Sequence, residues 1–392
     1  MAALRTLPFG VSVKAGTSAL APEDVMAPAW ALSPNGELLA HTLPHRGVQV
    51  WRVATGERVA ESRDPNPSEL LDYCSVRFHP NGRWLLLGCE TPVAVDVVDL
   101  AGNLLFTYNA PLLASHPMHG DLHYMKEPEI RCVDFCFDPE KGVSMAAGCF
   151  DCHTIEVFSL GYPHHVTNPS TGDDFILEGV DPFYTDLKYE RALRPPTAED
   201  DNWAAATEFA YSPDGELLAT VDTNKAWGGR DSDSLLTTGV TLMLWRASDG
   251  KPVFSASAPV AKAEWTKKGV LPAHIAWSAD SRVVAFTTEE HTWVLQKTLI
   301  FGGGGGGSMQ GAFTDGLILN PPENDAFVWC DLSADGSSIA TLTARGVLRV
   351  SSVTTEESPV MASFPGAKMV MFLRDPHRMA LSFDDKIVIA DV

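Results

Sequence analysis

Short apolar runs recur along the chain, each followed by a tight polar cluster and a second apolar run. The polar cluster is clearest at Ser212-Pro213-Asp214-Gly215, before Glu216-Leu217-Leu218-Ala219-Thr220. It recurs at Ser33-Pro34-Asn35-Gly36, His79-Pro80-Asn81-Gly82 and Ser333-Ala334-Asp335-Gly336. Looser copies stand at 138–142, at Ser278-Ala279-Asp280-Ser281 and around Arg374-Asp375-Pro376. Pro presets φ for the first corner, Asp or Asn bonds back to the local backbone, and Gly takes positive φ without steric cost. Each copy therefore predicts a β-hairpin. Its strands are apolar at nearly every position, the pattern expected when both sheet faces are covered. Seven copies begin at 33, 79, 138, 212, 278, 333 and about 374. The shorter steps between them match one propeller blade, and the longer ones a blade plus an insertion.

A third apolar run follows the hairpin. Val48-Gln49-Val50-Trp51-Arg52 and Leu242-Met243-Leu244-Trp245-Arg246 are its best examples, each leading into a Gly-containing turn. These segments resemble the third strand and following turn of the WD-repeat family, with Trp51 and Trp245 at its Trp position and Arg52 and Arg246 where that family often has Asp. The resemblance implies an all-β fold: a single seven-bladed β-propeller of four-stranded antiparallel blades over residues 1–392. Gly-His pairs usual in that family are not evident, so its His–Asp network is expected to be absent or incomplete. The last repeat stops at a third strand, and residues 1–20 hold a spare apolar segment. The N-terminal strand is therefore expected to close the last blade, which removes an open edge.

In a propeller the loops between blades share a face with those between second and third strands. Insertions are expected there at 109–129, 161–204 and 222–239, with the shorter 320–326. The Gly-rich loop 301–311 falls between a third and a fourth strand. Long loops carry function more often than the scaffold does. Within 161–204, Asp181-Pro182 followed by 183–193 reads as a short capped helix ending before Pro195-Pro196. Phe183, Tyr184, Tyr189, Trp203, Trp227 and Arg230 are the candidate partner-binding residues, because aromatic and Arg side chains dominate binding hot spots. The alternative is that these side chains pack over their own blade.

The chain carries 29 Lys and Arg against 50 Asp and Glu, a formal charge of −21. Such a surface repels phosphate backbones and anionic membranes, so neither nucleic acid nor a membrane is expected as partner. A protein or peptide partner with basic segments fits instead. Seven cysteines and no apolar leader or spanning run argue for reduced thiols and a cytoplasmic protein.

Metal binding is the competing chemistry. His116, His119 and His123, then Cys149, Cys152 and His153, cluster in predicted loops, and imidazole with thiolate suits zinc. The alternative is solvated loop histidines. Cys149-Phe150-Asp151-Cys152-His153 also spells the c-type haem attachment pattern, but the repeat places it at a tight turn and no export segment precedes it. No nucleophile elbow, phosphate loop or zinc-protease motif occurs. The expectation is a scaffold without catalysis or cofactor, the alternative a metal-binding propeller using the His/Cys loops.

Overall fold

The computed structural model describes residues 5–8, 29–43, 47–62, 73–78, 82–89, 94–109, 130–138, 142–149, 155–159, 165–167, 174–176, 185–186, 188–193, 203–227, 235–264, 273–288, 291–300, 310–323, 325–354, 360–373, 375, 378–383 and 386–391. All the described regular structure is β. It forms six four-stranded antiparallel sheets, one five-stranded mixed sheet and one two-stranded ribbon. Each of the seven turn copies lies between the first and second strands of one large sheet.

The chain divides into two compact units, Asp24–Arg194 and Met1–Glu23 with Pro195–Val392. The 24–194 unit holds three large sheets. The first is Trp30–Leu32, Leu38–Leu43, Gly47–Arg52 and Glu57–Ser62; the second Tyr73–Phe78, Trp84–Cys89, Ala94–Asp99 and Leu104–Asn109. The third is Ile130–Asp138, Gly142–Cys149, Ile155–Ser159 and Lys188–Leu193. The other unit holds four. They are Trp203–Tyr211 to Pro252–Glu264, Ala273–Trp277 to Gln310–Leu319, Phe327–Leu332 to Val360–Ser363, and Met369–Phe372 to Lys386–Asp391. Arg5–Pro8 completes the last of these, pairing antiparallel with Lys386–Asp391 from Arg5↔Ile389 to Pro8↔Lys386. The N-terminal segment thus supplies the missing outer strand, as the repeat phase predicts.

Apolar cores lie between successive sheets. Val284 and Phe286 join Ala219, Val221 and Leu242 of the preceding sheet, while Val283 and Ala285 join Phe327, Leu332 and Ile339 of the next. Ile339 and Ala340 likewise serve opposite cores. Neighbouring residues on a strand point to opposite faces, so a sheet covered on both sides needs apolar residues at both parities. Each fully buried Val, Leu or Phe contributes about 1.5–3 kcal/mol.

The turns carry one hydrogen-bond pattern. Ser33, Ser212, Ser278 and Ser333 are buried. Each hydroxyl donates at 2.6–2.7 Å to Oδ1 of the Asn or Asp two residues on. The same oxygen accepts the N–H five residues on, at 2.9–3.0 Å. The Asx oxygen in turn accepts the N–H two residues beyond it. The Ser333 hydroxyl and the Ser337 N–H hold the Asp335 carboxyl below the usual range. The fourth position is left-handed, with φ 72° at Gly36, 71° at Gly215 and 68° at Gly336, and Ser281 takes φ 60° there. The Ser281 hydroxyl accepts the N–H of Asp214 in the preceding turn at 3.0 Å.

Two sequence expectations need correction. Residues 185–193 are not helical: Thr185–Asp186 and Lys188–Leu193 are strands. An isolated helix of this length is marginal in water, whereas Lys188–Leu193 pairs with Ile155–Ser159 and completes its sheet. The insertion therefore lies between the third and fourth strands of that sheet rather than between two blades. Much of 222–239 is also strand, because Leu217–Trp227 and Leu235–Arg246 pair out to Trp227↔Leu235. Residues 110–129 and 301–309 lie outside the described residues. Thr292–Ile300 and Gln310–Leu319 flank the latter as third and fourth strands.

A Cβ at Gly336 would meet Val283 Cγ2 at 2.7 Å and Ser278 Cβ at 3.1 Å, whereas at Gly82 nothing lies within 4 Å. Both have positive φ. Gly82→Ala should cost about 1 kcal/mol, for the backbone alone. Gly336→Ala should cost roughly 2–4 kcal/mol, because overpacking adds to that strain. Urea denaturation of both variants measures the difference, and equal losses would show that the close approach at Gly336 carries no weight.

Candidate partner-binding site

Within the 195–392 unit the first strands of successive sheets touch, and polar side chains meet along that row. His274 Nδ1 lies 3.6 Å from Glu208 Oε1. The His274 ring stacks on Trp329, centroids 3.5 Å apart and planes 21° from parallel. Trp277 Nε1 donates to the Ala210 carbonyl at 3.1 Å. Asp331 Oδ2 accepts the N–H of Phe372, on the next first strand, at 2.7 Å. Burial pushes the Asp331 carboxyl up to about 7, against the pull of the Phe372 and Leu332 N–H groups. Burial likewise pushes the Cys330 thiol up to about 12, offset in part by the Thr287 hydroxyl and reinforced by the Asp331 and Glu208 carboxylates. A thiol so protonated is a poor nucleophile.

The 24–194 unit repeats the theme. Arg77 Nη2 sits 2.8 Å from the buried Asp134 Oδ1, joining the first strands of the second and third sheets. Buried Tyr73 donates its hydroxyl to Asp96 Oδ2 at 2.7 Å. These contacts tie strand to strand.

The resemblance to WD repeats can be tested at its Trp position. Trp245 faces Leu218 across the ladder, and its Nε1 donates to Thr220 Oγ1 at 3.2 Å. Trp51 faces Leu39, and the residue equivalent to Thr220 is His41. Trp51 Nε1 is buried without a hydrogen-bond partner among the described residues. His41 is 3% exposed, and burial lowers its imidazole to about 4. It stays neutral in the folded protein at neutral pH, edge-on to Trp30 with ring centroids 5.9 Å apart.

One sheet outgrows its neighbours. The strands Trp203–Tyr211, Leu217–Trp227, Leu235–Arg246 and Pro252–Glu264 have 9, 11, 12 and 13 residues. The second strands of the two sheets that follow, Val283–Thr288 and Ser338–Thr343, have 6 each. At about 3.3 Å per residue the excess of the 11-residue strand is roughly 17 Å. The extra length lies at the end opposite the Ser212–Gly215 turn, in rows such as Trp203↔Lys225 and Lys225↔Thr237.

No family profile matches this chain, and no curated protein matches it. Solved structures do. The β-propeller domain of Myceliophteria thermophila Cps50 (Swd1) is 14% identical with TM-score 0.59, over 93% of this chain and 96% of that one. A chain in the crystal structure of the mitotic checkpoint complex is 13% identical with TM-score 0.56, over 95% and 89%. The fold is a WD-repeat-like β-propeller.

Of the candidate residues in this propeller, Trp203 begins the first strand of the long sheet and Trp227 ends its second strand. Tyr189 lies on Lys188–Leu193 of the 24–194 unit, opposite Phe158. Phe183, Tyr184 and Arg230 lie outside the described residues. Cys149 ends the strand Gly142–Cys149, opposite Ile130; His116, His119, His123, Cys152 and His153 lie outside the described residues. Among the described residues no His, Cys, Asp or Glu come together as a metal-holding group. Sequence reasoning did not single out Glu208, Trp329 or Asp331. Polar residues inside otherwise apolar first strands were the available signal.

Two titrations follow. The Asp331 pKa is raised on folding, so its contribution is complete near pH 4 and is lost as pH rises through about 7. Asp331→Asn keeps an acceptor for Phe372. It should gain about 1–2 kcal/mol over wild type at pH 8, after discounting for part-exposure, and nothing at pH 4. His41 runs the other way: its lowered pKa removes stability as pH falls from about 6.5 toward 4. The full effect is roughly 3 kcal/mol. His41→Thr should flatten that limb of a stability–pH profile measured by chemical denaturation, and an unchanged slope would assign it elsewhere.

Proposed function

We propose that this propeller is a non-catalytic scaffold that holds a protein or peptide partner with a basic segment, and that the partner docks on the long sheet of residues 203–264. The overgrown sheet carries the reading. Its second and third strands have 11 and 12 residues against 6 and 9 in the sheet that follows, and Trp203 and Trp227 stand on it. Aromatic residues on a rigid β platform make strong binding anchors. The charge of −21 favours a cationic partner, whose approach it would steer. The similar chain in the mitotic checkpoint complex is itself part of an assembly, which is the kind of role proposed here.

A shortened hairpin tests this. Replacing residues 224–239 by Asn-Gly joins Thr223 to Val240, which already pair across the ladder, through a turn suited to two residues. The core pairing Leu218↔Trp245 is untouched. Affinity capture from native extract should then lose partners that wild type retains, with melting of the remaining sheets unchanged. The wild-type partners should elute as salt rises past physiological strength. An identical partner set with the folded, shortened variant rejects the docking site, and salt-independent capture rejects the basic segment.

A further inference from the structure

We infer that Thr185–Asp186 is a strap that occupies the outer edge of the second sheet and fastens it to the third. Thr185 pairs with Tyr108 and Asp186 with Asn109, in parallel. This makes Thr185–Asp186 a fifth strand beside Leu104–Asn109, the outer strand of its sheet. One residue later the chain enters Lys188–Leu193, the outer strand of the third sheet, which pairs antiparallel with Ile155–Ser159. A single stretch, 185–193, therefore belongs to two sheets.

Among the described residues every other strand pair is antiparallel, for a physical reason. Hairpin-linked strands pair antiparallel, and a parallel pair needs a crossover of a dozen or more residues. Here the connection from Leu104–Asn109 to Thr185–Asp186 runs through the first three strands of the third sheet and then the insertion after Ile155–Ser159, whose described part is the ribbon His165–Thr167 with Asp174–Ile176. The insertion thus has a structural product: it carries the chain back to the preceding sheet.

The strap has two effects. It covers part of a strand edge whose free N–H and C=O groups would otherwise accept a strand from another molecule. It also links the two sheets at their outer strands, whereas their main packing among the described residues is Ile130–Asp138 against Tyr73–Phe78 and Trp84–Cys89. Two paired residues make only one or two hydrogen bonds, each of modest net worth. The strap is thus a local latch, able to open without unfolding either sheet.

Hydrogen exchange read by mass spectrometry on the full chain tests this. In wild type, amides of 104–109 and 188–193 should exchange slowly. Thr185→Pro with Asp186→Pro removes both strap N–H groups, and Thr185→Gly with Asp186→Gly weakens the strap without removing them. Both variants should speed exchange at 104–109 by tenfold or more, leave 84–89 and 94–99 protected, and shift the protein toward dimer in light scattering at high concentration. Protection of 84–99 reports that the variant has folded. Unchanged exchange at 104–109 in either folded variant overturns the strap, as does fast exchange there in wild type. Faster exchange without dimer formation keeps the strap but overturns its role in guarding the edge.

Discussion

A sheet covered on both faces has almost no freedom in register, because a slip of one residue sends every side chain to the wrong core. In this protein a buried serine at the head of four of the turns, Ser33, Ser212, Ser278 and Ser333, holds that register. Its hydroxyl receives an N–H from the start of the second strand and donates to the Asx side chain inside the turn, so first and second strands can align in one way only. The apolar rows then follow: with Ser278 bonded to Val283, Val284 falls to one core and Val283 to the other. Where the motif departs from glycine, at Ser281, the left-handed residue gains a bond to the neighbouring turn.

At the inner edge the same problem is met differently. Within each unit the first strands of successive sheets lie against one another, and their polar groups meet across the gap: Glu208 lies 3.6 Å from His274, Asp331 accepts the Phe372 N–H and Arg77 pairs with Asp134. Each involves a carboxylate that is buried or partly so. Breaking such a pair leaves a charge without its partner, which costs more than the pair contributes. Asp331 and His41 show the burden directly, since both are held away from their charged forms.

The outer edge is where this propeller departs from a plain repeat. The N-terminal strand seals one sheet, the strap from the insertion lies along another, and the 203–264 sheet is extended. These additions, not the repeated core, set it apart from a uniform repeat.

The hairpins, the third strands and the closing N-terminal strand were legible in the chain because each rests on local rules: turn chemistry, strand period and the count of strands per repeat. Trp245 could be placed from its own segment. The fate of 183–193 could not. Lys188-Tyr189-Glu190-Arg191-Ala192-Leu193 suits a helix locally, and it became a strand because Ile155–Ser159 offered an unpaired edge. Trp227 looked like a loop tip, and lies at a strand end because Leu235 stands opposite. Glu208, Trp329 and Asp331 are distant in sequence from the groups they meet. Local sequence determined the repeated unit; only tertiary pairing decided which insertions became strands and which polar residues met, because hydrogen bonds between sheets depend on positions that no single segment encodes.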